Sequence, residues 1–338
     1  MRKLITADDV RSLLRSGGSV DSIPADALLT PSARDLLRAR RPAAVPAAAP
    51  AAADPTSAAA IARFFVSPAL EELKAKMCDI GRRLWERGYV DGNGGNLTVR
   101  VGENLILCTP TLISKGFMKP ADMCLTDLEG RQLAGERKRT SEMLTHLGIM
   151  RRQPKARACV HAHPPHATAF AVASVRPPPC LLPEAEVFVG AVGMAEYQTP
   201  GTPENANAVG RVGVDHQVVL MQNHGVITWG DHLEDAYWKM ENIDAYCQTV
   251  WIASQLGSGL HSFGSEKLKE LLAIRKKLGM DDPRQGSADC NLCDPGEFRG
   301  GAPAAAGAKG EADALIEALV RRVADRVVQQ LAPGKPAA

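Results

Sequence analysis

The stretch Cys159-Val160-His161-Ala162-His163-Pro164-Pro165-His166 predicts a strand over 157–163 that runs into a proline pair. Side chains alternate between the two faces of a strand, so His161 and His163, two residues apart, project from the same face. Two imidazoles on one face can share a metal ion, although a solvated edge or a hydrogen-bonded core pair uses the same pattern. A second apolar strand, 218–222, runs straight into Asn223-His224-Gly225. It places a third imidazole at a strand end, beside a residue free to take unusual backbone angles. Three strand-end histidines point to one metal centre in an α/β protein.

Glu142, in Thr140-Ser141-Glu142, is the fourth candidate ligand. It opens a helix expected over 141–152, with Met143, Leu144, Leu147 and Met150 on the buried side. A glutamate there also suits a helix cap and the helix dipole. Three neutral imidazoles leave a divalent ion its full charge, and one carboxylate lowers the formal total to +1, so the ion remains a Lewis acid. Two further features suit phosphate. Asp91-Gly92-Asn93-Gly94-Gly95-Asn96 can expose successive backbone amides, and Thr140-Ser141 presents hydroxyls and amides at a helix start. The glycine-rich run lacks the spacing of a dinucleotide or Walker loop and equally suits a plain turn into a hairpin.

Around these residues the 338-residue chain divides by composition. Residues 1–40 form a small module in which Thr6 and Thr30-Pro31 open short helices, and 41–60 is an Ala/Pro linker. Residues 61–283 make a catalytic-sized domain. Its expected elements are a helix over 68–87, a hairpin of 97–101 with 105–108, and a long helix over 231–256 started by an Asp231/Glu234 capping box. Residues 284–311 hold Cys290-Asn291-Leu292-Cys293 and a Gly/Ala/Pro linker; 312–338 carries an apolar helical stripe at Ile316, Leu319, Val320, Val323, Val327 and Leu331. Forty Lys and Arg against 38 Asp and Glu give a formal net charge of +2, too small a field to drive binding to nucleic acid or an anionic membrane. The longest apolar runs fall far below the roughly 20 residues that span a bilayer. A soluble, cytoplasmic protein with reduced thiols is expected, its eight cysteines being scattered in a chain large enough to bury a core without staples. His146, His166, His216, His232 and His261 read first as caps, core or surface groups, and the tryptophans and tyrosines near the long helix as packing residues.

Gly95-Asn96-Leu97-Thr98, Cys108-Thr109-Pro110-Thr111, Thr140-Ser141-Glu142, His161-Ala162-His163 and Gln222-Asn223-His224-Gly225 occur in one order over 70–278. In this combination the chain resembles the class II aldolase/adducin family, and especially its L-fuculose-phosphate aldolase-like members. The resemblance implies a three-layer α/β/α sandwich with a mainly antiparallel central sheet, and a homotetramer with sites near subunit interfaces. It further implies Zn2+ held by His161, His163 and His224, with Glu142 as the ligand that swings off to act as base. Gly95, Asn96, Thr111, Thr140 and Ser141 would hold the substrate phosphate. The reaction implied is reversible cleavage of a fuculose- or rhamnulose-type 6-deoxyketohexose 1-phosphate to dihydroxyacetone phosphate and lactaldehyde. The same scaffold serves pentose-phosphate 4-epimerases, which need the same metal chemistry, and the non-catalytic adducin branch, against which the retained histidines and Glu142 argue.

Two positions depart from the family. Leu112 follows Thr-Pro-Thr where many relatives have glycine, so the phosphate loop is expected to differ in shape. Leu182 falls where the family's proposed proton-donating tyrosine is expected, and it cannot transfer a proton. Both terminal segments, 4–40 and 312–331, resemble those of enzymes packaged in bacterial microcompartments. That resemblance implies binding of shell proteins through the C-terminal helix and a place in the shell lumen.

Overall fold

The computed structural model describes residues 56–287 without interruption and, beyond them, 4–6, 9–10, 12–13, 23, 27–30, 33, 292–296 and 298. Near the N-terminus a two-residue strand β1 (Leu4–Ile5) pairs in parallel with β2 (Leu28–Leu29). Thr6 and Thr30 cap as the sequence suggests, each hydroxyl accepting a backbone N–H three residues on, from Asp9 and Ala33. The first linker is shorter than its composition implies. Helix α1 (Ala58–Phe65) takes up its last alanines, and the Ser57 hydroxyl accepts from the Ala60 N–H at 3.2 Å. The stripe of 312–338 and most of 284–311 lie outside the described residues.

Helix α2 (Pro68–Glu86) carries proline in its first turn, where no N–H is missed, and buries Leu70, Met77, Ile80 and Leu84 at helical spacing. The expected hairpin follows as β3 (Asn96–Arg100) and β4 (Ile106–Cys108), extended by β5 (Cys124–Thr126) and β6 (Gln132–Ala134). After α3 (Met143–Met150) come β7 (Ala158–Ala162), α4 (Pro165–Ala173), β8 (Val192–Ala195) and α5 (Pro203–Gly213). A hairpin of β9 (Val218–Met221) and β10 (Gly225–Gly230), then α6 (Leu233–Ser254) and α7 (Ser265–Lys277), complete the order. The eight strands of the main sheet lie in the order β6-β5-β4-β3-β7-β10-β9-β8, antiparallel at every pair except β8 with β9.

Alternation along the strands builds a core on each face. Ala158, Val160 and Ala162 of β7, with Leu97, Val99, Leu220 and Val226, pack against α2, α4 and α6. Cys159 of the same strand, with Ile106, Val219, Met221 and Ile227, packs against α3 and α5. Each aliphatic side chain fully buried in this way contributes about 1.5–3 kcal/mol. The result is the expected α/β architecture with a mainly antiparallel sheet between helical layers. No helix among the described residues is long and apolar enough to cross a membrane.

Three expectations need correction. The long helix has no Asp231/Glu234 box: His232 is its cap, and its Nδ1 accepts from the Asp235 N–H at 3.0 Å. Trp229, Tyr237 and Tyr246 are buried, but Trp238 and Trp251 lie about half exposed on the outer side of α6. The thiols are not all reduced, because Cys180 and Cys293 form a disulfide with a Cα–Cα distance of 5.5 Å. Their separation of 113 positions hides the pairing from any reading of cysteine spacing, and Cys290 lies outside the described residues.

The tightest helix contact brings α3 and α5 together backbone to backbone. A methyl group on Gly148 would lie 2.2 Å from the Ala206 carbonyl oxygen, and one on Gly210 2.4 Å from the Gly148 oxygen. Gly148→Ala is therefore expected to cost at least about 1–3 kcal/mol by overpacking, read as a lower thermal midpoint. An unchanged midpoint would show that the two helices can separate freely.

Candidate metal centre

The site is built where β7 ends and the β9–β10 hairpin turns. His161 lies on the α3/α5 side of β7, buried, between Asn96 of β3 on one side and Ile227 of β10 on the other. Its Nδ1–H donates to the Val226 carbonyl at 2.8 Å, which leaves Nε2 facing the cluster. His163 Nε2 lies 3.2 Å from His161 Nε2. His224 sits in the hairpin turn, and its ring centroid is 4.7 Å from that of His161 and 5.2 Å from that of His163. One ligand atom from each of the three rings falls within 4.8 Å of the others, a grouping able to hold a divalent metal.

The backbone reason for this approach differs from the expected one. The left-handed turn residue is Asn223, at φ 55°, and not Gly225. Gly225 is needed because a side chain there would meet His163 Cδ2 at 2.6 Å and the Ala162 oxygen at 2.8 Å. Its hydrogen lets β10 pass directly beneath the two β7 imidazoles.

Glu142 does not cap α3. It occupies the cap position, but its carboxylate makes no capping bond and turns toward the histidines. Oε2 lies 3.3 Å from His161 Nε2, and Oε1 lies 3.4 Å from His224 Nε2. Burial works against this anion, yet the charge and hydrogen bonding of His161, the His224 ring and a bond from Asn96 hold its pKa far below the carboxylate range. Burial lowers the His161 pKa, but Glu142 outweighs it and the net shift is upward. Burial and the His161 charge push His163 down to about 4 and His224 down to about 3. Glu142 Oε1 and His224 Nδ1 are buried without a hydrogen-bond partner. A carboxylate oxygen left unpaired against imidazole lone pairs is what a cation would satisfy, so the donor set fits a divalent metal.

The anion-site candidates lie on three adjoining segments, and one of them, Asn96, reaches Glu142. Leu97 and Thr109 exchange backbone contacts, the Thr109 N–H donating to the Leu97 carbonyl at 3.1 Å. Thr111 and Thr140 in turn donate to the Lys138 and Thr109 carbonyls. Gly95, Asn96 and Thr140 are buried, Thr111 is half-buried and Ser141 is exposed. The Thr140 hydroxyl accepts from the Glu142 N–H at 3.2 Å, joining the anion-site segment to the carboxylate. Leu112 holds φ 56° with its side chain 80% exposed. This is the left-handed conformation that a glycine favours, held here by a leucine. Leu182 packs against the core, and Tyr197 is exposed, its N–H bound to the Gln222 side chain.

Two residues near the site escaped the sequence reading. Lys115 is buried, and its ammonium donates to the Asn93 and Ile113 carbonyls at 2.9 and 2.7 Å, tying the glycine-rich turn to the loop after Leu112. Burial brings its pKa down to about 8 against the pull of Glu142. His146 is buried between Asn96 and Thr98. Its place four residues after Glu142 on one helix face was the available signal; its reading as a core group was correct but incomplete.

Purified protein is expected to carry about one divalent ion per chain, measured by elemental analysis. Full occupancy in the folded double variant His161→Ala, His224→Ala would rule this site out.

Residues 75–251 match the model of the Class II Aldolase and Adducin N-terminal domain. Among curated proteins, the L-fuculose phosphate aldolase of Methanococcus maripaludis strain C5 is 35% identical over 182 residues, 54% of this chain and 96% of that protein. The 3-oxo-tetronate 4-phosphate decarboxylase of Haemophilus influenzae is 33% identical over 51% of this chain and 83% of its own length. Among solved structures, an L-fuculose 1-phosphate aldolase superposes with a TM-score of 0.57 at 27% identity, covering 62% of this chain and 97% of the other. With the family model spanning more than half its length and the histidine cluster in place, the chain belongs to the class II aldolase and adducin family.

Proposed function

We propose that this protein is a zinc-dependent aldolase that reversibly cleaves a 6-deoxyketohexose 1-phosphate of fuculose or rhamnulose type to dihydroxyacetone phosphate and lactaldehyde. The observation that carries the reading is the Glu142 carboxylate, one oxygen without a partner, lying against two imidazoles beside the anion-site segments. His161, His163 and His224 would hold the ion, and three nitrogens suit zinc with a position left for substrate. Bound there, a divalent cation would supply Lewis acidity toward adjacent carbonyl and hydroxyl oxygens of the ketose.

The chain's own residues do the rest. Gly95, Asn96, Thr111, Thr140 and Ser141 bind the phosphate, which places the ketose carbons against the histidines. Glu142 moves the proton to and from the carbon next to the dihydroxyacetone phosphate carbonyl. Its unpaired Oε1 is the accepting atom, while Oε2 stays bound by Asn96 at 2.8 Å. No lysine Schiff base is required.

The relationship to 3-oxo-tetronate 4-phosphate decarboxylases favours a second reading. Loss of CO2 beside a carbonyl leaves the same kind of electron-rich carbon for Glu142 to protonate. Assays of fuculose 1-phosphate, rhamnulose 1-phosphate and 3-oxo-tetronate 4-phosphate separate the two readings. Lactaldehyde is the product expected, and CO2 release with no aldehyde would replace the aldolase reading. Glu142→Gln is expected to keep substrate binding and lose about 100- to 10,000-fold in turnover, the range for a lost general base; a variant within about threefold would remove Glu142 from that role.

The proposed assembly is a homotetramer, with the C-terminal segment 312–338, which lies outside the described residues, binding microcompartment shell proteins. The apolar stripe of that segment and the reactive aldehyde product support this placement. Removing 312–338 is expected to abolish co-purification with shell proteins while leaving kinetics nearly unchanged. Unaltered co-purification would exclude the segment as the targeting element.

A further inference from the structure

A buried chain of hydrogen bonds leads away from Glu142. The Asn96 side-chain amide donates to Glu142 Oε2 at 2.8 Å. Its own carbonyl oxygen accepts from His146 Nε2–H. His146 Nδ1 in turn accepts from the Thr98 hydroxyl at 2.8 Å. A carboxylate only accepts, so the Asn96 nitrogen faces Glu142; Asn96 Oδ1 then faces His146 and needs a donor, which places a proton on His146 Nε2. Full burial lowers the His146 pKa to about 3 and keeps the ring neutral, which leaves a lone pair on Nδ1 for the Thr98 hydroxyl. The ring is 0% exposed. All four residues lie on the α3/α5 side of the sheet: Asn96 and Thr98 two apart on β3, Glu142 and His146 four apart at the start of α3.

An asparagine amide alone is nearly indifferent to a half-turn that exchanges its oxygen and nitrogen. Turned the other way, Asn96 would set its oxygen against the Glu142 carboxylate and its nitrogen against a donor. Glu142 disfavours that orientation at one end, and the His146 Nε2–H disfavours it at the other. It also leaves Asn96 with a second N–H, the group this residue would offer to a substrate anion.

We propose that His146 is a positioning residue: through Asn96 it holds the Glu142 carboxylate at the mouth of the histidine cluster and keeps both Asn96 N–H groups directed at anions. The inference rests on the metal-site reading but not on the identity of the substrate. A histidine merely filling the core would act on stability alone; this one acts on the cation through Glu142.

The test is cobalt(II) titration of the metal-free full chain, followed by visible absorption, with thermal midpoints measured in parallel. His146→Phe is expected to weaken cobalt binding by about tenfold, the lower end for outer partners of metal ligands. In a Glu142→Ala background the same change is expected to do almost nothing, because effects passing through one group are not additive. His146→Gln, whose amide can donate to Asn96, is expected to recover most of the affinity. An affinity within about twofold of wild type for folded His146→Phe, or equal losses with and without Glu142, overturns the proposal; so does a Glu142→Ala chain that binds cobalt as tightly as wild type. Should His146→Phe fail to fold, Thr98→Val decides. It keeps the imidazole but releases its tautomer, and an unaltered affinity there overturns the role. A chain with the Glu142-dependent coupling that cleaves no sugar phosphate would contradict the aldolase reading and leave the positioning role standing.

Discussion

A carboxylate buried among imidazoles is the constraint on which this structure turns. An isolated buried anion is costly, and the cost is tolerable only where charge or hydrogen bonds answer it. Glu142 is answered by His161, His224 and Asn96, but one of its oxygens remains without a hydrogen-bond partner. The protein therefore carries, at the ends of its central strands, a preformed demand for positive charge, and that demand fits the histidine cluster to a divalent metal.

The packing around the site serves this arrangement. Glu142 is held at the start of α3, whose position follows from the glycine contact with α5 on one side and the Thr98–His146 bond to β3 on the other. The histidines come from the sheet itself, His161 from a strand paired on both edges and His224 from the turn beside it. Sites built on paired strands and packed helices hold their geometry better than sites on loops.

Much of this was legible in the residues. Period-two spacing put His161 and His163 on one face, and the strand leading into Asn223-His224 supplied the third ring, because both signals are local. The sheet arrangement came from resemblance and was met by the observed strand order. What stayed hidden depended on contacts distant in sequence. The bond from His146 to Asn96 spans 50 residues, and the disulfide of Cys180 spans 113. Glu142 shows how a local rule misleads: a glutamate in a helix cap position suggests capping, and here the burial of four polar groups on one face redirects its side chain. Leu112 breaks a local rule in another way, a leucine at φ 56° where the backbone favours glycine. Strands β5 and β6, of three residues each, were too short to signal themselves.

The central claim is that His161, His163 and His224 form one metal centre with Glu142 beside it. Its most direct test is anomalous diffraction from crystals of the full chain grown with zinc, recorded on both sides of the zinc absorption edge. The account predicts a single strong peak among the three imidazoles, about 2.0–2.1 Å from one nitrogen of each, with the Asn96 amide still bound to Glu142. A zinc peak elsewhere, with none among these rings, would contradict it.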